Sequence, residues 1–200
     1  MSYRVPVLAV LVGALVSGAA LARPMLDNIP LKWTPTSSLG EMGPLSLSAP
    51  DLAARIHVDT LVDARQNPTL IGQNTEKADK PLPVSTSSDV PAFVTEHLKD
   101  TLRAGGLTVV DDGGDLILSG EIRQYYVTEV NMYRGEVSLV LHLKNSAGKE
   151  VWSGAITGDA ERFGRSYKAE NYFEVLSDTL LKAGYNLMVN PGFHDGLEKH

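Results

Sequence analysis

The chain has no cysteine among its 200 residues, which excludes a disulfide, a thiolate nucleophile, a cysteine metal site and a cysteine-linked lipid. It also lacks a basic surplus. Eighteen Lys and Arg against 24 Asp and Glu give a net charge of −6. Without the first 22 residues, which hold one Arg and no acid, 17 basic residues face 24 acidic ones, or −7. Nucleic-acid modules are normally basic, so nucleic acid is not an expected partner. No G-x-S-x-G, G-x-x-x-x-G-K or H-E-x-x-H occurs, and no G-x-G-x-x-G follows a strand, so neither a ready-made catalytic set nor a cofactor is expected. Past residue 22 no apolar run is long enough to cross a bilayer, and there is no solenoid-length repeat or low-complexity tract.

What is present is ordinary for a globular chain: 43% hydrophobic and 21% charged residues. Periodic segments fall between about Ala53 and Val189, which suits one domain with a sizeable core. Arg4 followed by the apolar stretch Val5 to Leu21 and the small-x-small site Ala20-Leu21-Ala22 reads as a secretory signal cleaved after Ala22. Pro6, Gly13 and Gly18 interrupt that stretch, which is already shorter than a spanning helix needs. The expected layout is therefore signal peptide 1–22, extended proline-rich segment 23–50, α+β domain 51–190 and C-terminal tail 191–200.

The clearest structural signal is Tyr133 to Thr157. Val137, Leu139, Leu141 and Leu143 alternate with Glu136, Ser138, His142 and Lys144, the pattern of a strand with one buried face. Asn145-Ser146-Ala147-Gly148 then turns the chain into a second run carrying Val151, Trp152 and Ile156, which makes a hairpin. Leu52 to Arg65 alternates as one strand, with Ile56, Val58, Thr60 and Val62 on one face and Leu61 interrupting. Gln66 to Ser87 has three prolines and no period, and reads as a long loop. Ser88 or Asp89 caps a helix whose Val90, Val94, Leu98 and Leu102 form a stripe, closed by Gly105-Gly106. Leu107 to Val110 is a short strand. Leu116 to Val130 is a longer one, with Leu116, Leu118 and Ile122 facing one way and Glu121, Arg123, Tyr125 and Glu129 the other. A final helix buries Tyr172, Leu176, Leu180, Ala183 and Leu187, and Asn190-Pro191 ends it. Leu31 to Pro35 reads either as a short edge strand or as a loop with one packed Trp.

This order predicts an α+β fold: a mostly antiparallel sheet of about four or five strands with two helices on one face. Leu31-Lys32-Trp33-Thr34-Pro35, Asp63-Ala64-Arg65, Ile71-Gly72, Leu102 to Leu107 and Leu116-Ile117-Leu118 together resemble the YajG-type lipoprotein family of Gram-negative bacteria, over about residues 31–189. The resemblance implies an envelope protein of uncharacterised activity and makes the Asp63-Ala64-Arg65 element look characteristic. Those relatives carry a lipidated cysteine after the signal, whereas this chain has Arg23.

Two groups are candidate contact residues. Asp63 and Arg65, two apart at a strand end, lead into the long loop, where a partner could be met or where the two simply pair and pin the loop. Tyr125, Tyr126, Tyr133 and Arg134 form an aromatic and basic group of the composition found at protein-binding hot spots. His57 and Asp59, with His142 on the hairpin, have metal-ligand types without metal-ligand spacing, and solvated strand residues explain them equally. Asp111-Asp112-Gly113-Gly114-Asp115 reads as a turn rather than a calcium loop. Glu121 and Glu129, about 27 Å apart at extended rise, are too distant for a glycosidase pair. The function expected is that of a non-enzymatic periplasmic accessory or adaptor protein that binds a protein, glycan or lipid component of the envelope. The alternative is an envelope hydrolase using carboxylate or His residues of the polar sheet face.

Overall fold

The computed structural model describes residues 25–199; the signal-peptide reading and its cleavage site lie outside them. In chain order the elements are β1 (Leu26–Ile29), α1 (Leu39–Met42), α2 (Ala49–Ala53), β2 (Arg55–Val58), β3 (Val62–Asp63), β4 (Leu70–Asn74), β5 (Leu82–Thr86) and α3 (Val90–Ala104). They continue with β6 (Thr108–Val110), β7 (Leu116–Glu129), β8 (Met132–Asn145), β9 (Glu150–Phe163), α4 (Ala169–Met188) and α5 (Pro191–Leu197).

The expected sheet of four or five mostly antiparallel strands is corrected to one mixed sheet of nine. Its antiparallel half is the meander β7-β8-β9, in which the predicted hairpin stands as read: Val137, Leu139, Leu141 and Leu143 are fully buried, and Gly148 takes φ 77° at the turn. Its parallel half hangs on the other edge of β7, which β2, β3 and β4 meet one after another. β6 then pairs with β2 and β1 with β5, both parallel, while β5 pairs with β4 antiparallel.

Two of the extra strands come from a stretch that shows no alternation, and a third from the splitting of one that does. β4 and β5 lie in 66–87, expected as a loop; each has five residues, their mutual register slips once, and Pro83 sits inside β5. Leu52 to Arg65, expected as one strand, is the end of α2, then β2, then a break, then β3. At the break Asp59 and Thr60 are exposed while Leu61 turns inward, its N–H donating to Thr95 Oγ1 at 2.9 Å. That turn changes the phase, so Val62, expected inside, is exposed. The proline-rich segment is not an extended tether either. Its strand is β1, while 31–35 take the alternative of a loop with one packed Trp, and residues 33–37 are strapped over the helices. Thr34 N–H donates to Ser177 Oγ, the Thr36 and Ser37 N–H groups donate to Asp178 Oδ1 at 2.8 and 3.1 Å, and Trp33 stacks on His97 with ring centroids 4.3 Å apart. Residues 191–197, read as a tail, form α5, capped by the Asn190 side chain and packed by Phe193 against Trp152.

One face of the meander is covered and the other is open. α4 crosses β8 and β9 where side chains are smallest: a Cβ on Gly135 would stand 2.8 Å from the Thr179 methyl, and one on Gly158 2.6 Å from the Ala183 nitrogen. Tyr172, Leu176, Leu180, Ala183 and Leu187 are buried there as the periodicity predicts. α3 packs beside α4, with Thr101 against Gly184.

Candidate functional site: a cleft at the interrupted edge of β7

β3 ends its pairing with β7 at Ile122 and β4 begins at Val127, so Arg123–Tyr126 has no strand partner on that side. The chain between β3 and β4 arches over the gap. What holds the arch is Arg65, whose side chain is only 6% exposed. Its Nε and Nη2 donate to the two Asp63 carboxylate oxygens at 2.8 and 2.7 Å, Nη1 to Leu70 O at 3.1 Å and Nη2 to Pro68 O at 2.5 Å. The planar guanidinium, with five donors in a fixed fork, suits this closure. The Arg65 bonds, opposed by burial, hold the Asp63 carboxyl below the usual carboxylate range. Asn67 Oδ1 accepts from the N–H and hydroxyl of Thr69, completing the turn.

Under the arch is an open cleft of about 340 Å³, walled by Arg65, Gln66, Asn67 and Leu70 on one side and Arg123 to Tyr126 on the other. A bulge in β7 between Ile122 and Gln124 shapes it. The extra residue reverses the inside-outside phase, so Tyr125, Val127 and Glu129 join the buried face that Leu116, Leu118 and Ile122 began. Tyr125 and Glu129, expected on the polar face, are therefore inside, and Tyr126 is half-buried on the open face. The Tyr125 hydroxyl is completely buried and has no hydrogen-bond partner among the described residues. Burial pushes its pKa up, against a small opposing pull from Arg65, and burial also raises that of Tyr126. Both stay protonated as donors.

Of the residues singled out in the sequence, Asp63, Arg65, Tyr125 and Tyr126 come together here. Arg65 lines the cleft, and Asp63, which does not, is turned on it as its ion-pair partner. Tyr133 and Arg134 belong to the far end of β8, opposite Glu129 and Thr128. Tyr133 is buried, its hydroxyl accepting from Ser166 N–H and Asn171 Nδ2, and Arg134 pairs with Glu161. Gln66, Asn67 and Gln124 were not singled out; their one sequence signal is adjacency to Arg65 and to the tyrosine pair.

The remaining candidates lie apart. His57 Nε2 is 3.3 Å from Asp59 Oδ1, and His142 Nδ1 is 2.8 Å from Glu150. Two strand spacings and a two-residue offset along the strand, about 12 Å in all, separate the histidines. Glu121 pairs with Arg123. Glu129 faces the core and accepts from Tyr172 OH at 2.8 Å and Tyr167 N–H at 2.9 Å. Among the described residues no three His, Asp or Glu side chains are grouped to hold a metal ion, and 111–115 forms a turn with Gly113 at φ 67°.

No protein-family model matches the chain, and no curated protein matches it. Solved structures do. A Xanthomonas campestris crystal structure assigned to the DUF330 family is 13% identical, covers 80% of this chain and 91% of its own, and superposes with a TM-score of 0.52. The two chains share a fold. A PelC dodecamer variant from Paraburkholderia phytofirmans is 20% identical over 70% of this chain and 94% of its own, with a TM-score of 0.44. A minor lipoprotein from Acinetobacter baumannii is 10% identical over 68% and 94%, with a TM-score of 0.40. These two scores fall below the level at which a shared fold follows.

Proposed function

We propose that this is a non-enzymatic accessory protein of the cell envelope, which binds a protein, glycan or lipid component through the cleft under Arg65. The observation that carries this reading is the cleft itself: an interrupted strand edge under an arch pinned by Arg65, walled by Gln66, Asn67, Gln124 and Tyr126. Rigid elements presenting loop groups are the usual architecture of a binding site.

The periplasm is the compartment we assign, on the Val5 to Leu21 run and the Ala20-Leu21-Ala22 site, with the mature chain starting at Arg23. No helix of the described residues is long and apolar enough to cross a membrane. Membership of the YajG-type family is part of the same proposal. Its support is that Trp33, Asp63, Arg65 and Gly72 each occupy a structural position, on His97, in the arch, and beneath Tyr172.

The test is site-specific photo-crosslinking in cells of the source organism, with the probe at Gln66, at Tyr126 and, as control, at Thr157 on the open face of β9. One envelope component captured from the first two positions and not the third is expected. The same adducts from all three positions, or from the control alone, would remove the cleft as the contact site. N-terminal sequencing of the mature protein, expected to begin at Arg23, checks the compartment separately.

A further inference from the structure

We infer that the cleft takes an uncharged sugar unit of a glycan, an assignment that rests on the binding reading above and narrows it. Charge is the first argument. Arg65 is neutralised by Asp63 and Arg123 by Glu121, 2.7 and 2.5 Å away. The cleft therefore carries no net charge and presents no unpaired counter-ion to a carboxylate, phosphate or amine, which favours a neutral ligand.

Hydrogen-bonding capacity is the second. Each sugar hydroxyl both donates and accepts, and the rim supplies both. The Gln66 amide has no partner among the described residues. Asn67 uses only its oxygen and Gln124 only its NH₂, on Glu136, so a donor remains on one and an acceptor on the other. Four of the five Arg65 N–H groups are engaged, leaving one.

Shape is the third. Tyr126 shows part of its ring on the open face, an apolar plate with a polar tip of the kind that packs against the C–H face of a pyranose. An extended peptide fits less well. Strand addition needs a continuous free edge, and the gap on β7 is only Arg123–Tyr126 before β4 closes it.

The test uses the mature chain, ¹⁵N-labelled, titrated separately with maltohexaose, chitohexaose, hexagalacturonate and a neutral hexapeptide. Amide shifts confined to 64–70 and 123–127, produced by a neutral oligosaccharide at about 1 mM, are expected. They should weaken about tenfold in Tyr126→Ala and in Gln66→Ala. Gln66 is exposed on the arch, so its loss separates binding from folding. Shifts from hexagalacturonate or the peptide alone would overturn the sugar assignment while leaving the contact site standing. Silence from all four probes, with crosslinking from Gln66 and Tyr126 intact, would do the same. Silence together with failed crosslinking would overturn both.

Discussion

Gly158 of β9 lies directly beneath Ala183 of α4: a Cβ at position 158 would come within 2.6 Å of the Ala183 backbone nitrogen. Backbone, unlike a flexible side chain, cannot step aside, so α4 rests on the sheet at a height that only glycine allows there. Gly158→Ala should lift the helix and cost about 1–3 kcal/mol. Gly40→Ala is the control, since a Cβ there meets nothing within 4 Å. Urea melts of the two variants against the parent check it, with a lowered midpoint for the first and almost none for the second.

The arch over the cleft gives a second expectation. Arg65→Ala leaves the Asp63 carboxylate and the Pro68 and Leu70 carbonyls without their donor, and should cost about 2–3 kcal/mol. Because the Asp63 pKa is lowered on folding, its stabilisation is present above the ordinary carboxylate value of about 3.9 and is lost as pH falls through the folded value. Asp63→Asn should therefore lower the melting temperature at neutral pH and flatten its decline below about pH 4. Thermal melts across that range decide the matter.

These two sites differ in how far the sequence discloses them. The buried stripe of α4 and the alternation of β8 are visible because one period runs unbroken from end to end. The bulge after Ile122 is not: Arg123-Gln124-Tyr125 carries no Gly or Pro to mark it, and one unmarked residue exchanges the faces of Tyr125, Tyr126 and Glu129. β4 and β5 escape notice for another reason. Five-residue strands whose register slips leave no alternation to read; β4 is placed by β7 far along the chain, and β5 by β4. The Asp63–Arg65 pair is legible from spacing alone; its closure over Leu70 and Pro68 depends on the loop being an arch, which local residues do not announce.

Acid should also loosen the C-terminal helix. Asp51 Oδ2 accepts from Ser48 and lies 2.9 Å from His194 Nδ1, tying α2 to α5. Burial works against the Asp51 charge, but the Ser48 and His194 bonds outweigh it and the carboxyl is held below its usual range. The tie thus persists above about pH 3.9 and weakens as pH falls through the lower folded value. Trp152 packs on Phe193 of α5, so in a Trp33→Phe background its fluorescence should change in that acid window. In His194→Ala, which lacks the tie at every pH, the change in that acid window should be largely lost. A signal identical in the two proteins would mean that the tie does not control α5.

Glu129 offers the last expectation. Wholly buried, it accepts from the Tyr172 hydroxyl and from the N–H of Tyr167, a residue held at φ 46°. Burial, with Glu129 adding to it, pushes the Tyr172 pKa above its ordinary value, so the phenol stays a donor. Glu129→Leu strands both donors and should lower stability by about 2 kcal/mol or more. Glu129→Gln, which keeps one acceptor, should lose less. Calorimetry on the pair reads the difference.

The strap across the helices bears on the order in which the molecule can be made. Thr36 finds Asp178 across 142 positions, and Asp51 finds His194 across 143. A ribosome therefore delivers the first partner of each pair long before the second exists, and neither can close until the chain is nearly complete. Closures of such span are slow steps in folding. Until then residues 33–53 are held only by partners made earlier, such as His97 beside Trp33 and Thr108 beside Leu52, and the segment lacks its last fastenings.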